Sequence, residues 1–284
     1  MLYYYLVQPF ADYHFMRIAL LAIIYQSISV APIGLFLVMR RMSLMGDALS
    51  HAILPGVAIS FLIAGFNPVL MSIGGLLTGC IMMYASRVAT EKTHLQEDAN
   101  FAGFYLTCLA VGVILVSRYG SNTELLNFLF GSLFQINFAG LAWIAATASL
   151  TLVILMIIYR PLYVESLEVN FLSRFQMKSR LIVLIFQTLT VFNLVSGFQT
   201  LGTLLSVGLM MIPAISAKLW FSRMETLLAG TFCFALLSGI IGLLLSYHFD
   251  LPSGAMIILC AGLFYLTSLF LAPHSWVKGR GLTK

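Results

Sequence analysis

The chain has 284 residues, 61% of them hydrophobic and 9% charged, with a mean hydropathy of +1.00. Soluble globular domains carry about 25% charged residues, so this composition excludes a water-solvated domain and points to a single polytopic bundle solvated by lipid. The net charge of +5 forms no basic patch interleaved with aromatics, which argues against a nucleic-acid partner.

In chain order, residues 1–16 are dense in aromatics (Tyr3, Tyr4, Tyr5, Phe10, Tyr13, Phe15), which suits an interfacial segment. They lack the pattern of a cleaved signal peptide and are read as part of the mature chain. Apolar runs long enough to span a bilayer follow near 17–39, 44–64, 69–90, 98–117, 137–159, 180–199, 201–219, 226–246 and 254–272. The spacing predicts an all-α transmembrane helix bundle of about nine spans, some broken, forming one domain over 1–284. The sixth and seventh runs are parted only by Ser196–Thr200; read as one broken passage over 181–217, they would make eight. Residues 123–135 form a weaker amphipathic piece.

Basic residues test the parity. With nine spans and the N-terminus outside, thirteen of the fifteen Lys and Arg fall on the cytoplasmic side: Arg40/Arg41, Arg87/Lys92, Arg160/Arg174/Lys178/Arg180, Lys218/Arg223 and Lys278/Arg280/Lys284. Only Arg17 and Arg118 fall outside. This is the positive-inside asymmetry of a multi-pass protein of the cytoplasmic membrane, with its C-terminus inside.

One stretch, Arg40 to Gly56 (RRMSLMGDALSHAILPG), breaks the apolar pattern. If 47–51 are helical, Asp47 and His51 lie one turn apart on one face. Ionisable groups inside a span are functional candidates, because hydrocarbon offers them no water. A carboxylate and an imidazole suit Zn²⁺ or Mn²⁺; they also suit a hydrogen-bonded pair that fixes helix packing. Pro55 has no N–H for the His51 carbonyl, and Gly46 and Gly56 add flexible backbone, so a broken helix is expected. Counted from Arg41, Asp47 lies only one or two turns into the membrane, unless residues 40–46 are drawn inward as irregular backbone lining a cavity.

Pro32 and Pro213 also fall inside apolar runs and predict further breaks. Gly75 and Gly79 have the small-xxx-small spacing of close helix packing. Cys80, Cys108, Cys233 and Cys260 stand singly in apolar runs and predict neither a zinc cluster nor a disulfide. His14, His94, His248 and His274 stand alone, and Asp250 beside Pro252 reads as a turn residue.

Residues 160–180 form the longest polar connection, a cytoplasmic loop. Within it Val164, Leu167, Phe171 and Leu172 follow helical spacing, and Glu168 adds a charge. Such a stripe packs either on its own bundle or on a soluble partner.

The stretch 40–60 (RRMSLMGDALSHAILPGVAIS) resembles the signature region of the ABC-3 family, membrane permeases of bacterial ATP-binding cassette importers for zinc, manganese and related metals. The resemblance continues through GFQTLGTLLSVGLMMIPAISA (197–217) and LSYHFDLPSGAMIIL (245–259). It implies a homodimer with the pathway on its axis, two cytoplasmic ATPase subunits that use ATP, and an extracytoplasmic metal-binding protein. It implies that Asp47 and His51 meet the transported ion (zinc or manganese, with iron a further candidate) and that no cofactor is permanently bound. It places the coupling contact with the ATPase at Val164, Leu167, Glu168 and Phe171. Relatives often end that helix in Ala and Gly, where this chain reads Leu167-Glu168-Val169-Asn170.

Two other classes compete. An ion-coupled secondary transporter working without an ATPase would usually carry several acids within its spans, and only Asp47 lies well inside one. An intramembrane enzyme is opposed by the lack of an HExxH motif, and no Walker A motif is present.

Overall fold

A computed structural model of the chain describes residues 7–42, 44–65, 67–93, 97–119, 133, 136–167 and 179–273. Its helices are α1 (Gln8–Asp12), α2 (His14–Met39), α3 (Met45–Ala52), α4 (Leu54–Ala64), α5 (Pro68–Thr93), α6 (Glu97–Tyr119), α7 (Phe138–Leu167), α8 (Ser179–Leu201), α9 (Thr203–Trp220), α10 (Met224–Phe249) and α11 (Ser253–Leu271). Among the described residues no strand occurs, and nine helical stretches are long and apolar enough to cross a membrane. α3 and α4 together make one of them, Met45–Ala64. A 26-residue helix such as α2 rises about 39 Å, ample for a hydrocarbon core of about 30 Å.

α2 is the central element. It packs on α7 and α10 along one side and on α9 and, less extensively, α8 along the other. α11 closes the outside of α9 and α10, while α3, α4, α5 and α6 form a second group joined to the first through α8 and α9. The α2–α9 crossing is close enough that a Cβ on Gly34 would collide with the carbonyl oxygen of Met210. Small residues let backbones meet in this way, and close van der Waals contact drives helix association where lipid removes the hydrophobic drive.

The predicted turn over Ser196–Thr200 contracts to Gly202, with φ 88° and ψ 162°. That region is essentially open only to glycine. α8 therefore stays helical through 196–200, and Leu181–Leu201 and Thr203–Trp220 are separate spans. The eight-span alternative is not what the fold adopts.

The prolines interrupt less than expected. Pro32, Pro161 and Pro213 all lie within continuous helices, because packed neighbours and local adjustments compensate a missing bond in a membrane helix. The continuity through Pro161 corrects the predicted 160–180 loop: residues 160–167 are the last two turns of α7. Residues 168–178 lie outside the described residues, as do 123–132.

Two helix ends use the left-handed conformation at non-glycine residues, Arg41 (φ 61°) and Asp250 (φ 51°). The Met42 N–H donates to the Leu37 carbonyl at 2.9 Å, and the Leu251 N–H to that of Ser246 at 3.2 Å. Both are Schellman-type stops. The expected turn role of Asp250 is thereby explained.

Candidate functional site

The Schellman stop at Arg41 turns the chain from α2 into α3. The next helix begins at Met45, so Met45 and Gly46 are already helical, while Arg40, Arg41 and Met42 make the helix stop. Asp47 sits in the first turn of α3, where the positive end of the helix dipole favours its carboxylate, and His51 in the last.

On α3 the buried face is Ala48, Leu49 and Ala52, packed within the bundle, where α5, α6, α8 and α9 surround the helix. The opposite face carries Leu44 (74% exposed), Asp47 (exposed) and His51 (half-buried). The two polar residues thus share a face one turn apart, as their spacing predicts. Among the described residues no hydrogen bond or ion pair joins them. Ser50 donates its Oγ to the Asp47 main-chain carbonyl at 2.6 Å, leaving the Asp47 carboxylate to its surroundings.

The predicted helix break is shallow. Ile53 alone separates α3 from α4, keeps right-handed angles (φ −75°, ψ −23°) and receives the Val57 N–H at 3.2 Å. Gly46 and Gly56 are packing positions, not flexible ones. A Cβ on Gly46 would come within 2.8 Å of Met210 Cε and 2.9 Å of Met211 Cε, while one on Gly56 would collide with the Gly74 carbonyl and Thr78 Oγ1. These contacts hold the site helix against α9 and its continuation against α5. Gly75 and Gly79, which spacing assigns to packing, face Ile53, Val57 and Val191.

Among the described residues no group of three or more His, Cys, Asp and Glu is placed to hold a metal. Asp47 and His51 supply two ligands from one chain, half of a tetrahedral set. The four cysteines are free.

The second candidate region begins on the last turns of α7. Leu162 is fully buried and Tyr163 stacks on Tyr159 with ring centroids 6.4 Å apart. Val164 is half-buried and Leu167 ends the helix. Glu168 and Phe171 lie outside the described residues.

A buried polar ladder between α7 and α8 was not singled out by the sequence reading. Asn193 Nδ2 donates to Thr151 Oγ1 at 2.7 Å and Ser196 Oγ to Thr147 Oγ1 at 3.2 Å, with all four side chains buried. The signal was available: Thr147 and Thr151 lie one turn apart in an apolar run, and Asn193 interrupts another.

The model of the family described as the ABC 3 transport family matches residues 12–272. The manganese import system permease protein ScaB of Streptococcus gordonii is 31% identical over 269 residues, covering 94% of this chain and 95% of ScaB. The manganese transport system membrane protein MntC of Listeria innocua is 31% identical over 262 residues, covering 92% of each chain. Among solved structures, PsaBC from Streptococcus pneumoniae in complex with Fab superposes with a TM-score of 0.84 at 27% identity, covering 99% of this chain and 100% of the matched chain.

Proposed function

The chain belongs to the ABC 3 transport family, and from that membership we propose that it is the permease subunit of an ATP-binding cassette importer for manganese. Relatives about 31% identical over nearly their whole length carry manganese in their names, which favours this ion over zinc or iron.

The observation that carries the mechanism is the outward face of α3. A carboxylate and an imidazole on the exposed side of a membrane helix are unsustainable against lipid. A second copy of the chain would cover that face and bring two further ligands, completing a four-ligand set on a shared axis. Mn²⁺ accepts carboxylate and imidazole, and a set completed only between subunits binds weakly enough for release, as conduction requires. The N-terminus then lies outside, an extracytoplasmic binding protein delivers the ion, and a separate cytoplasmic ATPase docks where α7 ends, at Val164, Leu167, Glu168 and Phe171. ATP is used there, not in this chain. The secondary-transporter alternative has no support from family membership.

The test is ATP-dependent uptake of radioactive manganese into vesicles holding the permease with its ATPase, with zinc and ferrous iron as competitors. Uptake of manganese that requires ATP and resists a tenfold excess of the other two is expected. Uptake of zinc or iron in preference would overturn the ion, and uptake without ATP would overturn the class.

A further inference from the structure

A groove of about 370 Å³ runs along the face of α2 that lies between α7 and α10. α2 contributes Ile28 and Pro32, α7 contributes Leu152 and Tyr159, and α10 contributes Leu228 and Phe232. These are not the elements that hold the site helix, which packs on α5, α6, α8 and α9. The groove is apolar apart from Tyr159, and its rim residue Met156 is 74% exposed, so it opens sideways onto the outer surface of the bundle.

Its two ends differ. Ile28, Leu152 and Phe232 lie towards the middle of their spans. Tyr159 and Leu228 lie towards the end at which α7 carries Arg160 and α10 begins after Arg223, both exposed. Tyr159 of α7 and Leu228 of α10 line the same end of the groove, so the start of α10 and this part of α7 lie on either side of it. Arg160 directly follows the lining residue Tyr159, and Arg223 caps the helix that carries the lining residue Leu228; Glu225 and buried Glu165 are the opposing charges at this end. Among the described residues no carboxylate is seen paired with either guanidinium. Arg40, Arg41 and Lys218 belong to the same end in the positive-inside assignment. From Tyr159 to Leu152 the groove descends about 10 Å along α7, a depth suited to the upper part of an acyl chain.

We propose that this groove is a binding site for an anionic phospholipid, with an acyl chain along Pro32, Leu152 and Phe232 and its phosphate between Arg160 and Arg223. Apolar walls alone would take any lipid. The flanking guanidiniums select a negative headgroup, because arginine pairs with phosphate through two parallel bonds. The site is independent of the transported ion and of the Asp47 and His51 assignment.

The experiment uses the full chain with its ATPase, equilibrated in nanodiscs of phosphatidylcholine and phosphatidylglycerol in equal amounts, then extracted and analysed by native mass spectrometry. Wild type is expected to retain phosphatidylglycerol in preference to phosphatidylcholine. The double variant Arg160→Gln/Arg223→Gln is expected to keep the lipid but lose the preference, by about fivefold for each arginine. Leu228→Trp, which fills the groove, is expected to lose both lipids. Equal retention of the two lipids by wild type would overturn the proposal, as would an unchanged preference in the double variant. Efficient disulfide crosslinking of Leu228→Cys to a second copy would also overturn it, by showing that a protein chain covers the groove. None of these outcomes touches metal uptake.

Discussion

Gly56 on α4 and Gly74 on α5 stand backbone to backbone. A Cβ on the first would collide with the Gly74 carbonyl, and a Cβ on the second with the Gly56 carbonyl and Ser60 Oγ. This crossing anchors the segment that continues the site helix. Gly56→Ala and Gly74→Ala are each expected to destabilise the protein by about 1–3 kcal/mol, the cost of overpacking a close contact. Gly103→Ala is the control, because a Cβ there meets nothing within 4 Å. It is expected to be neutral or to stabilise α6 by up to about 1 kcal/mol. Thermal unfolding in detergent measures all three, and a Gly56→Ala protein as stable as wild type would remove the close crossing.

Gly202 makes the one-residue turn between two spans. Its φ of 88° and ψ of 162° lie where a side chain costs about 1–3 kcal/mol. Gly202→Ala is expected to lower stability by that amount, whereas Gly254→Ala, whose Cβ would only touch Leu205 at 3.7 Å, should lose far less. Parity between the two variants would mean that the turn is not strained as described.

Asn193 bridges to Thr151 from the middle of α8. Interhelical hydrogen bonds in membranes are worth about 0.6 kcal/mol on average and up to about 1–2. Asn193→Ala and Thr151→Val are each expected to cost about that much, and the double variant less than the sum. Strict additivity in the double-mutant cycle would show that the two side chains do not interact in the membrane.

The nine spans were legible because each is a mainly apolar run of bilayer length, and because Lys and Arg cluster between alternate runs. The shared face of Asp47 and His51 was legible because helical geometry follows from spacing alone. Other features depended on neighbours. Proline predicts a lost hydrogen bond but not whether packing will compensate, so Pro32 and Pro213 looked more disruptive than they are, and the 160–180 loop was opened two turns early. Glycine announces either freedom or contact. Gly46 and Gly56 read as flexible and prove to be pressed against Met210, Met211 and Gly74. Among the described residues Gly65 and Gly202 use a backbone conformation that other residues avoid, and Gly202 lies just beyond the predicted turn.

Glu168 follows Leu167 in the sequence, and the end of α7 before it is held by buried Leu162 and by Tyr163 stacked on Tyr159. If the ATPase docks there, Glu168→Lys is expected to reduce the amount of ATPase recovered with the affinity-purified permease. The permease itself should still insert and remain monodisperse. Unchanged recovery would move the coupling contact elsewhere on the cytoplasmic side.

The exposed face of α3 gives the sharpest separation between a transport role and a packing role. Asp47 is exposed and its carboxylate has no hydrogen bond among the described residues, so Asp47→Asn should leave folding and assembly unchanged. His51 is half-buried, and His51→Ala should cost little more than its partial contacts. Manganese uptake by either variant is nevertheless expected to fall by at least about tenfold, since losing even an outer partner of a metal ligand costs that much. Asp47→Glu keeps an oxygen donor and is expected to recover part of the loss. The measurement is ATP-dependent manganese uptake, normalised to the amount of assembled complex. Loss of uptake with intact assembly, and partial recovery in Asp47→Glu, supports a ligand on the ion's route. Uptake at the wild-type level in Asp47→Asn, or a fall that tracks loss of assembled complex, would return the pair to a structural role.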